Sequence, residues 1–431
     1  MDKVLLKKAA FQSFSIMIAV VTSSFVLMQY QTVTTAAITI TSKNIYGVND
    51  ILEIQESFVD YVNTAIKDTG IPIEFSLHKV VQMDRALLEK LGSPIDQEVL
   101  TQLSNNYIII KKPEASQLSI TSEDLYINKS IKLMISGVGD TEMSSEKIIR
   151  VRGKEIFSGT PSYTEKNMKE RDNEGLGEEQ PVSTYDNDLS YHIEITHQQD
   201  SLSNQFNTQI TLQLDNVYAY KIYEDENNYY LDLRKPSEVY DRILVIDAGH
   251  GGKDGGALSK DGTVFEKNIN LDIVLNLKEL LDKEDIKVYY TRTADDKVFL
   301  RPRAELANAV DCDYFISIHC NANDITSPNG TEILYYDTSF KGVKSSGLAS
   351  IFSEEIGSVI SLKNRGSIKK QMGDIFIMDK SRVPMILIET GYMTNNADLA
   401  YLSNAANRKA VAQGIFNGIM RAYEELPVNK E

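Results

Sequence analysis

Four side chains in the C-terminal half of the chain, His250, Glu266, His319 and Glu389, are of the types that hold cations and move protons. Singly they carry little weight. A histidine at a strand end is most often a hydrogen-bonded structural residue, and a glutamate ahead of a helix is favoured there by the helix dipole. Their settings set them apart. The stretch ILVIDAGHGGKDGG, Ile243 to Gly256, runs from a β-branched apolar strand into Asp247, His250 and a cluster of glycines. The apolar run Tyr314 to Ile318 ends at His319, Met385 to Ile388 ends at Glu389, and Glu266 sits in the loop before a helix. In an open α/β sheet, chemistry gathers where strands end and loops begin. If these strands are parallel, all four side chains meet at one sheet edge. Two imidazoles and one carboxylate, with a coordination position left open, make a catalytic zinc site. A second carboxylate outside the metal shell then serves as general base toward water.

The elements that must position these residues alternate regularly after Asp241. Strand 243–246 precedes a glycine loop and a helix over about Asn268 to Lys283. Strand Lys287 to Tyr290, a helix over Arg301 to Val310, and strands at Tyr314 to Ile318 and Glu332 to Tyr336 follow. A helix over about Ser345 to Ile360, a short strand at Ile375 to Met378, strand Met385 to Ile388 and a helix over Ala405 to Glu424 complete the run. Strands alternating with helices predict an α/β domain, a mostly parallel sheet with helices on both faces.

The segment Val245 to Tyr423 resembles the zinc-dependent N-acetylmuramoyl-L-alanine amidases, the stand-alone amidase family of cell-wall hydrolases. The matching text includes Asp247-Ala-Gly-His-Gly-Gly, Lys253-Asp-Gly-Gly-Ala, Glu266 with Asn270-Leu271, Thr291-Arg292, and Arg303 with Ala307-Asn308. It continues through Phe315-Ile-Ser-Ile-His319-Cys-Asn-Ala, Gly330-Thr-Glu, Asn364-Arg365-Gly366, and Ile388-Glu389-Thr-Gly-Tyr with Thr394-Asn395. The resemblance implies that His250, Glu266 and His319 bind Zn2+ and that Glu389 is the catalytic carboxylate. It implies peptidoglycan as substrate and, as reaction, cleavage of the amide between N-acetylmuramic acid and L-alanine of the stem peptide. Zinc would lower the pKa of a water from about 16 toward about 7, with Glu389 taking its proton and returning it to the leaving amine. Arg292, Arg303 and Arg365 either orient substrate carboxylates or make structural ion pairs; Asn321 and Asn323 are candidate partners for the peptide. Cys320 stands where many relatives carry a small residue or serine, and strand alternation points its side chain away from that of His319.

Other readings use the same residues. A zinc carboxypeptidase or aminoacylase shares the metal chemistry but releases a different product. A non-catalytic wall-binding protein is expected to lack a ligand or the base, and none of the four is missing. Some relatives plug the site with a helix inserted after the strand that follows the second histidine. Only about eight residues separate Tyr336 from the helix near Ser345, an ordinary loop length, so an open site is expected.

The chain of 431 residues suffices for two or three domains, and at 42% hydrophobic it buries a sizeable core. A net charge of -16 argues against nucleic acid as a partner. Two cysteines, Cys312 and Cys320, make no disulfide framework. Lys3, Lys7 and Lys8 precede an apolar stretch from Phe14 to Met28, then small residues up to Ala37. Residues 1–37 therefore read as a signal peptide or membrane anchor, and the protein as exported, acting in the cell wall or tethered to the membrane of a bacterial envelope.

Residues 38–158 form an N-terminal α+β region, opening with a helical pattern over 49–68 and a short helix over Asp84 to Leu91 stopped by Gly92. Strands are expected at Tyr107 to Ile110, Leu125 to Val138 and Ile148 to Phe157, the last with a turn at Gly153-Lys154. Residues 159–190 read as an acidic loop or linker: between Glu165 and Asp188 eight acidic residues outnumber three basic ones. The β-rich segment 191–240 completes the N-terminal region, and 241–431 is the catalytic domain. The strand-rich part resembles the β-sandwich modules that precede cell-wall amidase domains, with wall or division and sporulation proteins as partners; a plain spacer is the alternative. His78, His192 and His197 have no companions that complete a ligand set.

Overall fold

The computed structural model describes residues 85–429, apart from 93, 114–117, 139–142, 159–162, 172–176, 186–191 and 200–205. The signal or anchor segment, the helical pattern over 49–68 and His78 lie outside the described residues. Among the described residues no helix is long and apolar enough to cross a membrane.

The N-terminal region is a β-sandwich roofed by two short helices. Helix α1 (Arg85–Leu91) ends at Gly92, whose left-handed φ of 79° lets its N–H return to Leu88 O; α2 (Gln97–Gln102) is capped by Asp96. The strands are β1 (Asn106–Lys111), β2 (Ser119–Leu125), β3 (Ser130–Ser136), β4 (Ile148–Arg152), β5 (Glu155–Ser158), β6 (Tyr163–Arg171), β7 (Gly177–Tyr185), β8 (His192–Gln199), β9 (Phe206–Gln213), β10 (Ala219–Glu224) and β11 (Asn228–Arg234). One sheet has the order β10-β11-β1-β4-β5 and the other β2-β3-β9-β8, antiparallel throughout. Alternate residues divide the work. Ile108, Ile110, Ile148 and Leu231 face Ile131, Leu133, Ile135, Ile210 and Leu212 across the sandwich. Tyr107, Ile109, Ile149 and Val151 pack outward on Leu87, Leu91, Val99 and Leu100 of the helices. Covered on both sides, β1 is buried at four successive positions, which is why Tyr107 to Ile110 lacks the alternation of a half-exposed strand.

Two expectations change here. The acidic stretch 159–190 is not simply a loop: β6 and β7 pair as an antiparallel ribbon, Tyr163 opposite Tyr185 and Lys169 opposite Glu179. A ladder needs only backbone groups, so polarity does not forbid it. The run Leu125 to Val138 is not one strand. Leu125 ends β2, the chain turns over Tyr126–Asn128 with Lys129 left-handed at φ 53°, and β3 returns. No glycine or proline marks that turn.

The C-terminal domain contains β12 (Ile243–Ala248), α3 (Glu266–Leu281), β13 (Lys287–Tyr290), α4 (Leu300–Ala309), β14 (Tyr314–Asn321), β15 (Thr331–Tyr335), the small hairpin β16 (Ser339–Phe340) and β17 (Val343–Lys344), α5 (Ser345–Val359), β18 (Asn364–Lys369), α6 (Phe376–Lys380), β19 (Met385–Tyr392), α7 (Asn396–Ser403) and α8 (Ala405–Glu425). The sheet order is β13-β12-β14-β19-β15-β18. It is mixed: β15 runs antiparallel to β19, while the other neighbours are parallel. One face, with Leu244, Ile246, Ile316, Ile318, Ile386 and Ile388, packs on α3, α5 and α8. The other, with Ile243, Val245, Phe315, Met385 and Leu387, packs on α4 and α6. The expected strand at Ile375 to Met378 is helix α6 instead; a four-residue apolar run has too few positions for its period to distinguish the two. The strand in that part of the sheet is β18, whose sequence NRGSIK hides it. Residues between Tyr335 and Ser345 form the β16–β17 hairpin rather than a helix.

The sandwich packs on the second face. Tyr126, Ile127 and Val217 join the cluster around Val245 and Phe315. The Tyr126 hydroxyl donates to Tyr290 O at 2.9 Å and accepts from Tyr290 N at 3.0 Å, and its ring meets Tyr289 edge-on at 5.0 Å. One phenol thus closes the open edge of β13, where backbone groups would otherwise lack partners.

Candidate active site

The site is built from the loop after β12, the C-terminal halves of β14 and β19, and the start of α3. β12 stops at Ala248, and the next residues turn sharply, with His250 held left-handed at φ 63°. That conformation is rare outside glycine and needs support from its surroundings. Two buried arginines supply it. Arg303 on α4 donates to Ala248 O at 2.7 Å and to His250 O at 2.8 Å. Arg292 donates to Ala248 O and Gly249 O, both at 2.9 Å. Gly249 permits the close approach of the second histidine, since a Cβ there would lie 2.3 Å from His319 Cε1.

His250 Nδ1 bonds Asp254 Oδ1 at 2.9 Å, which turns Nε2 toward Glu266 Oε1 at 3.2 Å. His319, third from the end of β14, faces the same oxygen through Nδ1 at 3.0 Å. The donor atoms of His250, Glu266 and His319 lie within 4.8 Å of one another. Glu266 is fixed from three sides: Ala257 N reaches its Oε2 at 2.8 Å, while Cys320 N at 3.0 Å and Asn270 Nδ2 at 3.1 Å reach Oε1. Two nitrogens and an oxygen facing one point suit a tetrahedral cation with one open position. The electrostatics agree. Burial alone would lower the His250 pKa, but hydrogen bonds and charge from Asp254 and Glu266 outweigh it and raise it to about 9. Burial works to raise the Glu266 pKa, yet the two histidines hold it well below the usual range. The pocket favours positive charge.

Glu389 pairs with His319 in the parallel register of β14 and β19, one strand spacing away. Its Oε2 is shut off from solvent and has no hydrogen-bond partner among the described residues. Burial, then the charges of Glu266 and Glu332, push its pKa up to about 8. A buried carboxyl titrating near neutrality with one oxygen unpaired is suited to exchanging a proton with a ligand.

The remaining candidates separate. Arg303 is 2% exposed and uses its guanidinium on Asp247 Oδ1 at 2.5 Å and on carbonyls of Ala248, His250 and Val298. Arg292 is 4% exposed and meets carbonyls of Ala248, Gly249, Lys267 and Ala294. Neither is placed to bind substrate; both hold the His250 loop, because carbonyls released at the end of a strand need donors. Asn321 donates from Nδ2 to Glu332 Oε2 at 3.3 Å and accepts from Ala322 N, so it anchors a carboxylate within the chain. Asn323 accepts from Ile325 N at 3.1 Å. Arg365 remains a third exposed and binds Glu332 through Nε. Cys320 points into the opposite core, Sγ 3.2 Å from Thr390 Oγ1, and lies outside the ligand cluster. Both cysteines are free and buried. His197 bonds Thr208 Oγ1 at 2.9 Å, and neither it nor His192 belongs to a ligand cluster.

Three contributors stand in the matching motifs but were given no role from the sequence: Asp254, Asn270 and Glu332. The first two lie four residues after His250 and after Glu266, a spacing that a search for partners of each candidate ligand finds. Glu332 is adjacent only through the sheet, opposite Glu389 in the antiparallel register.

Residues 244–421 match the family described as N-acetylmuramoyl-L-alanine amidase. Over 185 residues the chain is 32% identical to the N-acetylmuramoyl-L-alanine amidase LytC of Bacillus subtilis (strain 168), covering 43% of this chain and only 36% of LytC. It is 33% identical over 182 residues to the N-acetylmuramoyl-L-alanine amidase CwlM of Bacillus licheniformis, covering 42% of this chain and 68% of CwlM. Among solved structures, the N-acetylmuramoyl-L-alanine amidase from Clostridium difficile 630 matches at 32% identity with a TM-score of 0.40, covering 43% of this chain and 98% of that one.

Proposed function

This chain belongs to the N-acetylmuramoyl-L-alanine amidase family, and we propose that residues 241–431 release stem peptides from peptidoglycan at a zinc centre held by His250, Glu266 and His319, with Glu389 as general base. The observation that carries the proposal is the meeting of His250 Nε2, His319 Nδ1 and Glu266 Oε1 beside a buried, unpartnered Glu389 oxygen.

Zinc, when bound, supplies a Lewis acid for the scissile carbonyl and lowers the pKa of a water toward about 7. The chain's own residues do the rest. Asp254 fixes the His250 ring so that Nε2 faces the centre. Ala257 N, Cys320 N and Asn270 orient the Glu266 carboxylate. Glu389 Oε2 takes the proton of the attacking water and hands it to the leaving L-alanine nitrogen. That oxygen has no competing hydrogen-bond partner among the described residues and is free to do both.

Residues 1–37 serve as export signal or anchor, which places the reaction outside the cytoplasm, and the β-sandwich offers a surface for wall or for division and sporulation proteins. The test is mass spectrometry of purified peptidoglycan after digestion by the full chain, with and without a chelator. Whole stem peptides with a new L-alanine amino terminus are expected, and none after zinc removal. Release of single amino acids would instead mark a carboxypeptidase, and chelator-resistant release would remove the metal. Glu389→Gln is expected to keep its zinc and lose about 10²–10⁴-fold in turnover; a metal-free variant would make Glu389 a ligand.

A further inference from the structure

Of the three arginines near the site, only Arg365 keeps both terminal nitrogens without a hydrogen bond among the described residues. Its Nε is held by Glu332 Oε1. Its guanidinium lies over the Tyr392 ring, with Cζ 5.7 Å from the centroid. The two terminal nitrogens make no hydrogen bond among the described residues. That free end is the edge of the fork that takes a carboxylate bidentately.

The support beneath it is rigid. Glu332 is 6% exposed. It accepts from the Tyr392 hydroxyl at 2.9 Å and from Asn321 Nδ2 at 3.3 Å, besides Arg365. A buried carboxylate with three donors is a fixed post, and it holds Arg365 by one edge only. Preorganisation of this kind reduces the ordering cost of binding.

The position relative to Glu389 sets what the arginine meets. Glu332 on β15 is directly opposite Glu389 on β19, and Tyr392 lies three residues beyond Glu389. Arg365 is on β18, two strand spacings from Glu389, so at about 4.8 Å per strand their backbones lie about 10 Å apart. An extended peptide covers that distance in two to three residues.

Resting on the amidase reading above, we propose that Arg365, posted by Glu332 and Tyr392, is the specificity residue that recognises the free α-carboxylate of the second stem-peptide residue. The first residue after the scissile amide is L-alanine, which carries no side-chain charge. The next residue, a glutamate linked through its side-chain carboxyl, presents the first free carboxylate the enzyme meets. Amidation of that group removes the charge and one acceptor while keeping the shape, so Arg365 distinguishes acid from amide.

The test is isothermal titration of the zinc-loaded full chain carrying Glu389→Gln, which slows turnover about 10²–10⁴-fold. The probes are N-acetylmuramoyl-L-alanyl-D-glutamate γ-methylamide, in which the γ-amide stands for the link to the third residue, and the same compound with its α-carboxyl also amidated. The acid is expected to bind about 10- to 100-fold tighter than the amide, the range for a charge-assisted pair. Adding Arg365→Gln should bring the ratio close to one by weakening the acid alone. Arg365→Lys should also lose most of it, because one ammonium cannot hold Glu332 and fork a carboxylate. Equal binding of the two probes, undetectable binding of the acid, or a ratio unchanged in Arg365→Gln would each overturn the assignment. Stem-peptide release by the chain with Glu389 intact is measured separately. Release without discrimination refutes the Arg365 role alone, and discrimination without release refutes the reaction alone.

Discussion

Arg303→Met separates a structural arginine from a substrate-binding one. The substitution removes the guanidinium from a site only 2% exposed and leaves a side chain of similar length. Asp247 loses its countercharge and keeps only the hydroxyls of Thr291 and Ser317, each at 2.6 Å. The carbonyls of Ala248, His250 and Val298 lose a donor as well. Removing one partner of a buried ion pair costs about 3–5 kcal/mol. The Asp247 pKa carries the same sign: burial alone would raise it, but Arg303, His319 and the two hydroxyls lower it from 3.8 to about 2. Because the folded pKa lies below the unfolded one, this stabilisation is complete above about pH 4 and is lost as pH falls through about 2. Urea unfolding at pH 7 should therefore show Arg303→Met less stable by about 3–5 kcal/mol, and the variant should lose this acid-side step. A variant with unchanged unfolding but a raised KM for peptidoglycan would refute the reasoning and return Arg303 to the substrate.

Three further outcomes follow from the geometry. Asp254→Ala frees the His250 ring and should weaken zinc binding about 10- to 100-fold, read by competition with a chromogenic chelator; unchanged affinity would show that the ring needs no such partner. Gly249→Ala places a methyl 2.3 Å from the His319 ring and should displace that ligand, giving folded protein with reduced zinc content by atomic emission; full zinc occupancy would contradict the packing. Tyr126→Phe strips the Tyr290 backbone N–H and C=O of their partner and should lower the stability of the full chain by about 1–3 kcal/mol, whereas a neutral effect in urea unfolding would mean that water replaces the phenol.

How much of this could be read without the fold depends on the range of the interaction. That His250, His319 and Glu389 follow buried β-branched runs such as Ile243 to Ile246 was legible because the run and its polar stop are local; that β14 and β19 run on through His319 and Glu389 to Asn321 and Tyr392 was not. The turn at Gly153-Lys154 and the stop at Gly92 were legible for the same reason: a left-handed backbone position favours glycine, and both glycines adopt one. Helix α6 and strand β18 were not, since a short apolar run fits either period and NRGSIK carries little apolar pattern.

The roles of the arginines were beyond sequence altogether. Arg292, Arg303 and Arg365 are chemically identical, and nothing in their neighbours along the chain distinguishes them. Tertiary structure decides, by burying two against the carbonyls of the His250 loop and leaving the third with one edge on Glu332 and the other free. The sheet likewise decides that Glu332 stands beside Glu389, through an antiparallel pairing of strands 57 positions apart. Residue type and local pattern determined which atoms this chain has available and which buried runs they follow. Which of those atoms are already satisfied, and which remain for a substrate, is a property of neighbours that only folding brings together.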